Sequence, residues 1–360
     1  MSELQISLLF IGITVVLAVY GYNWWQQRQH RRRFGAAFHP HREDALYHIT
    51  TEKLVDEILD EAVSDNAPAS EPVQGSVRGE RRRWSRGCAL LDAAIDYIAV
   101  LSLKSPGNAN VLAPLWQQRF DFGKNVNVCG LNTVSGVWEK IIMESSSSYS
   151  AFKLALQLVS RSGAVSETRL ADFRDLVRNI AAQLHAEAEL PDAVIAGARA
   201  LELDGFCAEV DQMIGLNILP SGERKFSGNE IASVAELHGM SLQADGAFHL
   251  LDAHGHTLFS LSNYDNVPFQ HHTLGQMWVS GLTMLLDVPR VGQPAQRFDE
   301  MAVLARELAM DLRAAMVDDH RVALGESGIA QIREQVAAIE SRMLSGNITP
   351  GSAQARRLFA

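Results

Sequence analysis

Cysteine is scarce in this chain: three residues, Cys88, Cys129 and Cys207, in 360. None stands in a CxxC pair, and three are too few for a disulfide framework. The reading is three isolated thiols in or near cores and a reducing compartment. Basic charge is in deficit as well. Lys and Arg total 32 against 42 Asp and Glu, a net charge of −10. A nucleic-acid partner would need a local basic patch, and the stretches that read as folded have none. There is no GxGxxG and no P-loop. Ser146–Ser148 lack the flanking glycines of a nucleophile elbow. No catalytic constellation emerges, so neither an enzyme nor a cofactor is expected.

Charge is missing altogether from Leu4 to Gln27. About 20 apolar residues span a bilayer core as a helix, and Ile6, Leu9 and Val16 lie at the centre of this run. Tyr22, Trp24 and Trp25 follow as an aromatic belt, and then Arg28, Arg31, Arg32 and Arg33. Only Glu3 precedes the span. The positive-inside rule therefore puts the N-terminus outside and everything after Arg28 in the cytoplasm. A cleaved signal peptide would need a basic start and a small-residue cleavage site, and neither is present. Residues 1–34 are read as a membrane anchor with its basic flank, the arginines also facing anionic lipid.

Residues 35–86 are read as a flexible linker. Ala62–Gly79 is rich in Ser, Pro, Asp and Glu and too poor in apolar residues to bury a core. About 50 flexible residues reach roughly 40 Å, enough to hold a domain off a membrane without fixing its orientation. Arg81, Arg82, Arg83 and Trp84 close this stretch, either as a solvated boundary or as a contact for lipid or nucleic acid.

From Leu90 onward the same order of elements occurs twice. Strand-like Ile95–Leu103 is answered by Val210–Ile218, and helical Asn110–Phe120 by Asn229–Met240. Short strands follow in each pass, Asn125–Cys129 and Gly136–Met143, then Ala247–Leu251 and Thr257–Leu261. A longer strand comes next, Ser150–Ser160 and then Ser280–Pro289. Amphipathic helices complete each pass; in the last, Ile329, Ile332, Val336, Ile339 and Met343 recur at helical spacing. The pattern reads as a duplicated α+β domain, with antiparallel sheets covered by helices on one face. The boundaries are 87–206 for a degenerate first repeat, 207–345 for the second, and 346–360 for a small, polar, disordered tail.

Histidines crowd the second repeat: His238, His249, His254, His256, His271 and His272. His254-x-His256 sits in a Gly-containing turn, and no ligand set of recognisable spacing completes it. A membrane-bound small-ligand or metal-dependent protein using this region is the alternative reading. Asp318, Asp319, His320 and Arg321 read as a connecting turn rather than an acid–base set. Leu282–Val288 carries apolar residues on both faces of the pleat, because side chains alternate. One face packs under helices. The other is either covered by a second layer or forms an apolar patch for a partner peptide.

Three motifs carry a resemblance. Leu258-Phe-Ser-Leu-Ser-Asn263, Gly281-Leu-Thr-Met-Leu-Leu-Asp-Val-Pro289 and Asp318-Asp-His-Arg321 resemble, in order and spacing, segments of the ZipA family of bacterial cell-division proteins. The likeness covers about Val210 to Leu344, and the N-terminal span agrees in kind. The resemblance implies a split β-α-β fold, repeated in tandem here, with a hydrophobic groove on the sheet's open face. That groove would take the C-terminal tail of FtsZ, the tubulin-like division GTPase. By position, Met213, Gly215, Gly246, Phe248, Leu250 and Leu285 would line it, with Arg321 at its edge. Gly215 and Gly246 replace larger apolar residues of the family, which implies a shallower groove. The implied role is an adapter in the bacterial inner membrane that tethers FtsZ polymers at the division septum. A contact between the two repeats, covering that face, is left open.

Overall fold

The computed structural model describes residues 88–318 and 321–360. The expected anchor (Ile6, Leu9, Val16, Tyr22, Trp24, Trp25), the arginines 28 and 31–33, and the linker lie outside the described residues. Among the described residues no helix is long and apolar enough to cross a membrane.

The first lobe runs β1 (Asp96–Gly107), α1 (Ala113–Gln118), β2 (Val126–Asn132), β3 (Trp138–Lys140), β4 (Tyr149–Gln157), and a small hairpin of β5 (Val159–Ser160) and β6 (Gly163–Ala164). It closes with α2 (Glu167–Gln183), β7 (Glu187–Glu189) and α3 (Ala193–Val210). The second runs β8 (Met213–Pro220), β9 (Phe226–Ser227), α4 (Gly228–Leu237), β10 (Ser241–Leu242), β11 (Phe248–Leu251), β12 (Thr257–Asn263), β13 (Trp278–Val279) and β14 (Leu282–Asp287). After these come α5 (Pro294–Asp311), β15 (Ala314–Val317), α6 (Glu326–Ser345) and α7 (Ala353–Leu358). Both main sheets are antiparallel, so the α+β architecture is as expected. Because α3 continues to Val210, the first lobe ends there, inside what was read as the second repeat.

Local chemistry sets the helix starts. The Ser166 hydroxyl accepts from the Arg169 N–H at 3.3 Å, and the Asp192 carboxylate accepts from Val194 and Ile195. These side chains satisfy amides that the first turn leaves without partners. The apolar stripes then bury. Leu170, Phe173, Val177 and Ile180 of α2 pack on β1 and β4, while Phe298, Met301 and Leu308 of α5 pack against β8, β12 and β14.

The sheet orders are β3-β2-β4-β1-β7 and β10-β11-β12-β14-β8-β15. The lobes share a central triplet (β4-β1-β7, β14-β8-β15) and differ beyond it. In the second lobe β11, with the short edge strand β10 beyond it, precedes its neighbour β12. In the first, β3 follows its neighbour β2, so the expected one-to-one matching of the short strands fails. The reason is length. Between α1 and β2 the chain has too few residues for a strand and a turn, so the edge position is filled from the other side.

Two further expectations are corrected. Cys88 and Cys129 are joined as a disulfide, Cα to Cα 6.5 Å, rather than standing as isolated thiols; only Cys207 is free, and it is buried. The sequence separation of 41 residues gives no motif, because the fold, not local spacing, brings the two together. The reducing compartment inferred from isolated thiols loses its basis.

The tail is ordered rather than frayed. Ile348, Leu358 and Phe359 are buried. The Arg357 guanidinium pairs with Asp96, whose side chain is fully buried, and donates to the Leu90 carbonyl at 3.2 Å. The Gln157 amide donates to the Arg357 carbonyl at 2.9 Å. The C-terminus of the second lobe is thereby locked to the first. Arg342–Glu209 adds an ion pair at 2.7 Å, and the Phe206 ring sits against Gly346, where a Cβ would come within 2.5 Å of it. Polar and compositionally plain, the tail gave no sign of this, because its partners lie in the other lobe.

Candidate functional site

Among the described residues, the second sheet has one face under helices and one without. Register decides which residues go where. Leu282, Met284 and Leu286 of β14, with Ile214, Leu216 and Ile218 of β8, face the helices and are buried. The alternate residues face the other way: Gly215 lies opposite Leu285, Leu285 opposite Ser260, and Met213 opposite Asp287. Met213, Gly215, Ser260 and Leu285 are all half-buried. A Cβ on Gly215 would meet Leu285 and Thr283 only at 3.5 and 3.6 Å. The glycine therefore leaves a dip beside Leu285 that a side chain would fill without a clash.

This face forms a recess of about 410 Å³, with Met213, Leu258, Ser260 and Leu285 among its lining residues. On the β8 side it is bounded by Arg161 from the first lobe and by Arg290 and Arg356. On the β11 side stand His249, His256 and Asp245. The first lobe thus borders the recess without filling it.

Arg161 donates to Asp211 at 2.8 and 3.0 Å and to Asp287 at 2.7 Å. Burial pulls its pKa down, but the hydrogen bonds it donates to Asp287 and Asp211, with their negative charge, outweigh that and raise it. Burial raises the Asp287 carboxyl as well, with Arg161 offsetting only part. The histidines are engaged too. His249 meets Thr257 Oγ1 at 2.8 Å and Asp245 at 2.9 Å, and His256 meets Asp252 at 3.2 Å. The Asp252 carboxylate accepts the backbone N–H of His256 and of His254, which holds it below the usual range. No group of three or more His, Cys, Asp or Glu arranged to hold a metal occurs among the described residues.

Of the residues expected in the groove, Met213, Gly215 and Leu285 come together on the open face. Phe248 and Leu250 do not. They pair with Leu261 and Phe259 on the helix-covered face, and the Phe248 ring packs tilted against Phe269, centroids 5.5 Å apart. Gly246 is a turn residue at φ +83°, where a Cβ would meet Pro268 at 2.4 Å. Arg321 is exposed beyond the edge strand β15, in a turn closed by its N–H to the Asp318 carbonyl. The residues missed are Leu258, Ser260, Arg161, Arg290 and Arg356. Alternation from Phe259 and Leu261 would have found the first two. Nothing in the sequence points to Arg161 or Arg356, which arrive from the other lobe and the tail.

Residues 212–335 match the family model described as ZipA, C-terminal FtsZ-binding domain. Proteins named Cell division protein ZipA are similar in sequence. The one from Vibrio parahaemolyticus is 26% identical over 129 residues, 35% of this chain and 41% of the relative. That of Pseudomonas putida strain W619 is 26% identical over 154 residues, 42% and 51%. That of Pseudomonas aeruginosa strain LESB58 is 26% identical over 141 residues, 38% and 49%. The match spans about half the length of these relatives.

Proposed function

We propose, from the match of residues 212–335 to the ZipA C-terminal FtsZ-binding domain model, that this chain is a cell-division adapter that binds the C-terminal tail of FtsZ on the open face of the second sheet. Met213, Leu258 and Leu285 supply the apolar floor, and Gly215 makes room for an anchor side chain beside Leu285. The observation that carries this reading is the uncovered β12-β14-β8 face. Every neighbour of Leu285 along the strand turns inward, yet Leu285 itself stays half-buried next to a glycine. An apolar recess of this kind gains by covering apolar area with a peptide. Residues 1–34 act as the inner-membrane anchor, with the N-terminus periplasmic, and residues 35–86 as the tether. A chain held at a membrane beside a polymer binds with avidity, so a weak single site suffices.

Titrating labelled FtsZ tail peptide into residues 86–360 tests this. Saturable binding is expected, and Leu285→Asp should weaken it at least about tenfold, since it replaces the apolar floor under the anchor with a charge. Binding that is absent, or unchanged in Leu285→Asp, would refute the groove.

A further inference from the structure

We propose that the β8 side of this groove is a carboxylate seat formed by Arg290 and Arg356 and positioned by Arg161, so that the groove selects peptides carrying an acidic group next to their apolar anchor. The inference rests on the peptide-binding reading above. It also gives the first lobe and the C-terminal tail, both outside the matched family region, a part in recognition.

Three guanidiniums, Arg161, Arg290 and Arg356, border the same recess as Met213, Leu258 and Leu285. Asp211 and Asp287, the carboxylates beside them, are both held by Arg161; Asp245, on the opposite wall of the recess, meets His249 at 2.9 Å. That leaves two cations with little to hold. Arg290 approaches Asp287 only to 4.0 Å, beyond hydrogen-bond reach. Arg356 donates to the neutral carbonyl of Gly351. Among the described residues no carboxylate lies within hydrogen-bond distance of either. Arg161 holds Asp287 through Oδ1 at 2.7 Å, and Arg290 stays 4.0 Å from Oδ2, so its fork is not engaged in a hydrogen bond there.

In the free chain water solvates these two guanidiniums. A peptide lying across Met213 and Leu285 removes that water. An apolar or basic residue placed there would leave two cations desolvated without a partner, which is costly. A carboxylate instead meets planar forks suited to bidentate, charge-assisted bonds. The seat therefore acts by penalising the wrong peptide as much as by attracting the right one. Arg161 does not touch the peptide in this scheme. It offsets one of the two negative charges of Asp211 and Asp287 and so weakens their repulsion of the incoming carboxylate.

The test compares four peptides against residues 86–360 and the Arg290→Gln/Arg356→Gln double variant. They are the FtsZ tail peptide with a free or an amidated C-terminus, and each of these with its Asp and Glu replaced by Asn and Gln. For the acidic peptide the double variant should lose about tenfold in affinity and most of its salt dependence, with an unchanged melting temperature. For the peptide that is both amidated and Asn/Gln-substituted, and so carries no carboxylate, it should lose nothing. If the amidated C-terminus alone removes the difference, the seat holds a terminal carboxylate; if only the Asp and Glu replacements do, it holds a side chain. Equal affinity of wild type and double variant for every peptide would overturn the seat while leaving the groove standing. A wild-type chain that binds none of the peptides would overturn the groove and the seat together.

Discussion

The two lobes carry the same central strands and use the second face of the sheet in opposite ways. In the first lobe that face is filled by the chain itself. Cys88 is tied to Cys129, and Leu90, Leu91 and Leu131 pack with Trp138 and Ala151 over it. Lys153, on the same face by register, sets its amine 4.4 Å over the Trp138 ring, and burial lowers its pKa. In the second lobe the same face carries Ser260, Leu285 and Gly215, and among the described residues no such strap lies over them. A sheet with helices on one side has a spare face. The chain either spends its own residues on it or leaves it for a partner. The short apolar strap of the first lobe, a turn closed by the Leu91 N–H to the Cys88 carbonyl at 3.0 Å, shows how a segment can seat on such a face.

The comparison is broken most severely at β14, where neighbours face opposite ways. Met284→Ala empties a fully buried site and should cost about 2–5 kcal/mol, whereas Leu285→Ala should cost under about 1 kcal/mol. Denaturant melts of the two variants check this, and similar losses would mean that the open face is not open.

Removing the staple of the first lobe comes next. Cys88→Ser opens a loop of 41 residues and should cost about 2–4 kcal/mol in a chemical melt. Peptide affinity should stay the same, because the strap serves the other lobe; a parallel loss of affinity would tie the two faces together.

Gly215→Val should do the reverse. It places a β-branched residue in a strand without a clash, so stability should shift by less than about 1 kcal/mol, while the filled dip lowers peptide affinity at least about tenfold. Calorimetric titration with a thermal melt separates the two effects.

The smallest effect concerns the remaining thiol. Burial pushes the Cys207 pKa up to about 12, and the thiolate is the reactive form. Under non-reducing conditions at pH 8 the folded chain should take up no iodoacetamide, and the unfolded chain one equivalent per molecule by mass spectrometry. Three equivalents on the unfolded chain would show that Cys88 and Cys129 are not joined.

Much of this fold was legible in the sequence because it is written in local periodicity. The stripes of α2, α5 and α6 and the runs of β4 and β14 come from residues a few positions apart. The open face was legible in part, since five apolar residues in Leu282–Val288 cannot all point inward. What failed were readings that needed partners distant in sequence. Phe248 and Leu250 went to the wrong face because register depends on where β11 meets β12, and a one-residue slip exchanges faces. Arg357, Arg161 and the Cys88–Cys129 pair are joined to partners far along the chain. The tail looked featureless because its burial depends on surfaces contributed by the first lobe.

The central claim is that a partner peptide lies on the open face of the second lobe and not on the filled face of the first. Ser260 and Asn127 hold matching positions, opposite Leu285 and Ala155 respectively. A photo-crosslinking amino acid at each, irradiated with FtsZ tail peptide, tests the claim most directly. An adduct at Ser260 and none at Asn127 is the predicted result; an adduct at Asn127, or none at Ser260, would contradict it.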